Sequence, residues 1–170
     1  MKRIFILIVS ILSYSFLFAQ TGMNQIIFDE MAEEEIILGY CNREGLTSDP
    51  FSLWFQPEYE TYIPDMEILN QIDPEILTNV TIKVVLGTWC SDSQREIPRF
   101  VKIIDYLEFS NYSFIAVNRL KLAEETEVDE LEVDLVPTFI FYLNNEEIGR
   151  SIETPEDSIE KDILNIISFN

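Results

Sequence analysis

Apolar residues recur with different periods along this chain, and the sharpest pattern begins just after Val80. Thr81 to Leu86 is apolar and largely β-branched apart from Lys83, as in a central strand covered on both faces, and it ends at Gly87. Ser93 to Phe109 reads as a helix, with Ile97, Val101, Ile104 and Leu107 on one side and Phe100 and Ile103 widening the stripe. Pro98 inside it predicts a kink. Tyr112 to Val117 is predicted as a second strand and Leu120 to Glu132 as an acidic helical stretch. Thr138 to Leu143 and Glu146 to Ile152 make a hairpin around Asn144-Asn145, because Asn tolerates the positive φ of a tight turn. A last helix is expected to be capped by Thr154, with Pro155 at its first position, Asp157 at its third, and Ile159, Ile163 and Ile166 buried.

Upstream the pattern is mixed. Ile36 to Tyr40 reads as a short strand and Asn42 to Pro50 as a turn region. Asp65 to Ile72, bracketed by Pro64 and Pro74, reads as a short helix with Met66, Leu69 and Ile72 at helical spacing. Phe51 to Tyr62 carries Trp54, Phe55, Tyr59 and Tyr62 around Pro57, and aromatics so dense are expected to pack. From Thr81 the order is strand, helix, strand, helix, hairpin, helix. It predicts an α/β three-layer sandwich, a mixed central sheet flanked by helices, with an N-terminal extension.

Composition changes this picture at the start of the chain. Lys2 and Arg3 precede an apolar run, and Ala19 sits where a signal peptidase wants a small residue. The division expected is a signal peptide over 1–19, an extension packed on the domain over 20–75, and the domain itself over 76–170. Cleavage leaves about 150 residues, one ordinary domain, in a periplasmic or secreted location with no stable membrane anchor. No cysteine follows the apolar run closely enough to take a lipid. The net charge, −20 for the whole chain, becomes more negative still on loss of those two cations. Such a surface repels phosphate backbones and anionic lipid, which argues against a nucleic-acid partner. The chain has no His and two Cys, so the usual zinc site lacks ligands, c-type haem attachment is excluded, and no triad can use an imidazole base. No metal or cofactor is expected.

The chemistry-bearing stretch is Gly87-Thr88-Trp89-Cys90-Ser91-Asp92-Ser93, where the central strand hands over to the long helix. A cysteine there faces the free amides of the helix's first turn, whose dipoles favour a thiolate. Asp92 opposes a second negative charge nearby, and Arg95, three residues on, is placed to neutralise it. The bland alternative is a small residue packed under the helix, as free cysteines often are. Cys41 is either a non-local resolving thiol or an unpaired, partly buried one.

Trp89-Cys90-Ser91-Asp92-Ser93, with Val136-Pro137-Thr138 downstream at a strand start, resembles the thioredoxin family. More narrowly it resembles secreted bacterial thioredoxin-like proteins with an N-terminal extension, over roughly residues 76 to 168. The resemblance implies that Cys90 is the attacking cysteine and that Trp89 packs beside it. It makes Pro137 a cis-proline whose loop, with Val136, faces the cysteine and holds a substrate strand. Three departures follow. Ser93 stands at the resolving-cysteine position, giving CxxS; Asp92 replaces the usual proline; Val84 stands where many thioredoxins bury an acid. A hydroxyl cannot complete a dithiol cycle. Two functions are therefore expected: a monothiol protein acting on thiols or disulfides of exported clients, or on small thiols, through Cys90; or a non-catalytic binding or structural module.

Overall fold

The computed structural model describes residues 22–168; the signal-peptide expectation for 1–19 lies outside them. Strands β1 (Gln25–Asp29) and β2 (Glu34–Cys41) form an antiparallel hairpin. β2 continues antiparallel onto β4 (Tyr112–Ala116), and β4 runs parallel to β3 (Val80–Leu86). β5 (Thr138–Leu143) lies antiparallel on the other side of β3, and β6 (Glu146–Ile152) closes the far edge. The sheet order is β1-β2-β4-β3-β5-β6. β3 is thus central, and its apolar composition has a cause: strands flank both edges and side chains cover both faces.

Alternation along the strands builds two cores. Ile37, Cys41, Val84, Leu86, Phe114 and Phe139 point to the face covered by helices. Val85, Ile115, Val117 and Ile140 point to the opposite face, with Val128, Leu131 and Val136 over them. The long helix α5 (Ser91–Tyr106) buries Ile97, Phe100, Val101, Ile103 and Ile104 on the first face, and Leu107, just past its end, packs half-buried against them. Pro98 lies inside this helix and is buried. Residues before 76 belong to the same core. Leu46 of α1 (Arg43–Leu46), Phe55 of α2 (Ser52–Thr61) and Leu69 of α3 (Met66–Leu69) all pack there, and Pro74 opens α4 (Pro74–Leu77) at its first turn. The extension therefore supplies two strands and much of one helical layer.

Four local expectations need correction. The Leu120 to Glu132 stretch is no α-helix. It is a series of turns with one 3-10 turn at Val128–Leu131, and Lys121, Glu125 and Glu132 have φ of 62°, 63° and 50°. Asn118 Oδ1 accepts from the amides of Leu120 and Leu122, a local turn that competes with a helix start. The second face of the sheet is consequently covered by this thin layer. The last helix, α6 (Ile159–Ser168), begins after Ser158, whose Oγ accepts from the Lys161 amide. Thr154 does not cap it: Glu153 has φ 56° and the Thr154 hydroxyl is bonded to Arg95. Ile159, Ile163 and Ile167 are fully buried along α6, and Ile166 is half-buried. Finally, the expected turn region from Asn42 contains α1, because Asn42 Oδ1 caps the Gly45 amide. The hairpin turn does use Asn144 and Asn145, with φ of 52° and 69°.

Candidate functional site

Cys90 is the N-cap residue of α5, with extended backbone (φ −96°, ψ 123°) and a half-buried side chain. Its Sγ donates to the carbonyl oxygen of Val136 at 3.1 Å. Val136 is followed by Pro137, and the bond between them is cis. Val136 and Pro137 are both buried, immediately before β5. A half-exposed thiol at the start of the helix after the central strand therefore faces the loop before the next strand of the sheet. The fold is thioredoxin-like.

No family model matches the chain, and no curated protein matches it. Among solved structures it is similar to thioredoxin from Fasciola hepatica, at 18% identity, covering 54% of this chain and 80% of that one with TM-score 0.40. It is also similar to thioredoxin from Aeropyrum pernix, at 22% identity, 56% and 84% coverage and TM-score 0.38. A Pseudomonas aeruginosa protein of unknown function is similar at 13% identity, 69% and 81% coverage and TM-score 0.48. Likenesses this distant leave the chemistry to be read from the residues themselves.

The side chains of Thr88, Trp89 and Ser93 around Cys90 are tied down. Trp89 Nε1 donates to Val117 O at 2.8 Å, and the ring lies so close to Gly87 that a Cβ there would sit 2.6 Å from Cε2. Gly87 is needed for that approach. Thr88 is buried, and its Oγ1 accepts from the Ile37 amide of β2 at 3.2 Å, which joins the loop to the extension. Gln94 Nε2 donates to Thr88 O at 2.8 Å. Ser93 is 0% exposed and its Oγ accepts from the Gly87 amide at 3.1 Å. The residue at the resolving position thus serves as an internal clasp for the turn.

Asp92 and Arg95 meet as the spacing implies, at 2.8 Å, but the pair belongs to a longer chain of charge. Arg95 also donates to Glu96 at 2.7 Å and to Thr154 Oγ1 at 2.8 Å. Glu96 is buried beneath it, with Arg99 on its other side at 3.5 Å, and Arg99 donates to Glu58 of α2 at 2.6 Å. The hydrogen bond to Glu96, against the opposing effect of burial, leads the contacts that raise Arg95 above its ordinary range. A groove of about 430 Å³ opens between α2 and the start of α5, lined by Trp54, Pro57, Glu58, Ser91, Gln94 and Arg95. A larger cleft of about 590 Å³ lies elsewhere, between Gly39–Tyr40 and the 122–129 turns, and holds none of the motif residues.

Cys41 is not brought to Cys90. It lies on β2 opposite Phe114, in the helix-side core, whereas Cys90 packs against the core on the other face. Both are free thiols. Burial pushes the Cys41 thiol up to about 12. Val84 is wholly buried in the helix-side core, and the buried carboxylate of this region is Glu96 on α5. Among the described residues no cluster of Cys, Asp and Glu is arranged to hold a metal ion.

Residues that the sequence did not single out include Glu96, Arg119 and Lys121. Arg119 and Lys121 lie against the Trp89 ring, the guanidinium carbon 4.7 Å and the ammonium 5.5 Å from its centroid. Their signal was faint: Lys121 lies in, and Arg119 just before, the acidic Leu120 to Glu132 stretch expected to be helical.

Proposed function

We propose that this protein is a monothiol thioredoxin-like protein that works on thiols and disulfides of exported clients, or on small thiols, through Cys90. Removal of residues 1–19 would deliver it to a periplasmic or secreted location, where disulfides persist. The observation that carries the reading is the half-exposed Cys90 Sγ at the α5 N-cap, 3.1 Å from the carbonyl before cis-Pro137. The Cys90 thiolate attacks one sulfur of a disulfide and forms a mixed disulfide. The other sulfur leaves as a thiolate and takes up a proton. Ser93 forms no S–S bond, and Cys41 is buried on the other face, so an external thiol must release Cys90 by the same exchange.

The second reading, a non-catalytic binding or structural module, is favoured by one feature. The polar or sulfur groups of Thr88, Trp89, Cys90 and Ser93 are each engaged by backbone groups, an arrangement that serves loop rigidity whether or not the thiol reacts. Intact mass under non-reducing conditions, before and after a thiol-blocking reagent, separates the two. Monothiol chemistry expects Cys90 to be blocked faster in the native chain than in the denatured one, or to be isolated as a small-thiol adduct. Cys41 should be blocked only on unfolding. A Cys90 that reacts no faster when folded leaves the binding module. N-terminal sequencing of exported protein tests the leader: a chain still beginning at Met1 and held in the membrane would end that part of the proposal.

A further inference from the structure

The described residues contain nine basic side chains in a chain of net charge −20. Arg43, Lys83, Arg95, Arg99, Arg150 and Lys161 each hold a carboxylate. Lys102 is spent on two backbone carbonyls, Tyr59 O at 2.7 Å and Glu60 O at 3.2 Å. Arg119 and Lys121, like Lys102, have no acidic partner among the described residues. The Lys121 ammonium donates to Arg119 O at 3.3 Å, and both charged groups sit on the ring of Trp89, the residue before Cys90. Arg119 is exposed and Lys121 half-exposed. Where acids so outnumber bases, two cations with no carboxylate beside them, grouped on the aromatic ring of the residue that precedes the half-exposed thiol, are an arrangement that a ligand can complete.

From this we infer that the Cys90 site selects thiol and disulfide partners that carry a carboxylate close to the reacting sulfur. The inference rests on the proposed thiol chemistry and adds its substrate class. The rest of the surface repels anions at long range. Beyond about a Debye length, roughly 8 Å at physiological salt, that repulsion is largely screened. At contact the Arg119 guanidinium can pair with a carboxylate in the forked geometry that such groups favour, and Lys121 adds a second point charge. The partner's sulfur is then held beside Cys90 Sγ. Exchange proceeds as above: one S–S bond breaks, the Cys90 mixed disulfide forms, and the partner's other half leaves as a thiol. The carboxylate can come from an acidic segment flanking a client cysteine or from a small acidic thiol. Leu135, next to Val136, is 45% exposed and offers an apolar contact that only the first source can use fully.

The test is the rate at which native protein reacts with disulfides that differ in charge, at physiological salt. The probes are dithiobis(nitrobenzoic acid), which is anionic; dithiodipyridine, neutral at mildly alkaline pH; and cystamine, cationic. Each rate is referenced to the urea-unfolded chain. Replacing both cations, Arg119→Gln with Lys121→Gln, should lower the anionic rate about three- to tenfold relative to the neutral one, as expected for two exposed charge contacts. The same change should raise the cystamine rate. Exchanging the cations, Arg119→Lys with Lys121→Arg, should keep most of the preference, which separates charge from damage to Trp89 packing. Glutathione disulfide and an acidic cysteine peptide disulfide then distinguish the two sources, and faster reaction of either supports the inference. An anionic-to-neutral ratio unchanged by the double Gln substitution overturns it while leaving the thiol chemistry standing. A Cys90 that fails to outrun the unfolded chain with the neutral probe removes the thiol chemistry and this inference together.

Discussion

Replacing Gly87 by Ala probes the contact on which the site is stacked. The backbone of Gly87 is outside the left-handed region, so the substitution brings no backbone strain. It would in fact stabilise by about 0.4–1 kcal/mol through the unfolded chain if space allowed. Space does not allow it. The new methyl would lie 2.6, 2.8 and 2.9 Å from Cε2, Nε1 and Cζ2 of Trp89, against an ordinary carbon contact of about 3.5–4.0 Å. The ring must retreat by about 1 Å, which takes Nε1, now 2.8 Å from Val117 O, beyond hydrogen-bonding range. Overpacking of this kind costs about 1–3 kcal/mol, and the lost hydrogen bond about 1 kcal/mol more. A net loss of about 2 kcal/mol, with a urea m-value of about 2 kcal/mol per molar, lowers the midpoint by about 1 M. The chain has two tryptophans, so a Trp54→Phe background leaves Trp89 as the reporter. Its native emission should shift to the red alongside the lower midpoint. Unchanged emission and an unchanged midpoint would refute the packing of Trp89 on Gly87.

Other expectations follow from the same geometry. Ser93→Cys should create a disulfide couple between Cys90 and the introduced thiol, seen as a loss of two hydrogens in mass under oxidising conditions and as reduction of a model disulfide with a dithiol donor. It should also cost about 1 kcal/mol, because sulfur is a weaker acceptor for the Gly87 amide; no internal disulfide would count against a thiol poised at the helix start. Ile104→Ala, at a fully packed site on α5, should cost about 2–5 kcal/mol in denaturant unfolding. For Glu127, burial works to raise the carboxyl pKa, but the hydrogen bond from Tyr40 and the Lys83 ammonium outweigh it and hold it below its ordinary range. The stability it contributes is present above the unfolded value, near about 4.3, and is lost as pH falls through the lower folded value. Glu127→Gln should therefore flatten the acid limb of a stability–pH profile, and an unaltered limb would show that the Tyr40–Glu127–Lys83 cluster contributes nothing.

How much of this was legible beforehand depended on whether a residue's role was set by its neighbours in sequence. β3, α5 and the Asn144–Asn145 hairpin were readable because period and turn chemistry are local. The meeting of Asp92 with Arg95 was readable from its helical spacing. The 120–132 stretch was not, since Ala123, Val128 and Leu131 reach the sheet from successive turns. Thr154 carries the right residue type for a cap, yet Arg95, 59 positions away, claims its hydroxyl. Glu96 looks like a solvated charge until two arginines fold over it. The Asn42 cap was a local signal overlooked among turn residues. The cations on Trp89 depend on the chain returning past β4, which no spacing reports.

The junction between α2 and α5 bears on how small the protein can be made. A fragment beginning at residue 76 would strip Glu58 from Arg99 and the Tyr59 carbonyl from Lys102. It would uncover the apolar side of α5 now facing Phe55, and leave Thr88 without the Ile37 amide. It would also present β4, currently paired through Gly39, Tyr40 and Cys41, as a bare strand edge, and such edges recruit other chains. Recombinant versions cut there should precipitate or associate, so any soluble minimal form has to start at or before β2.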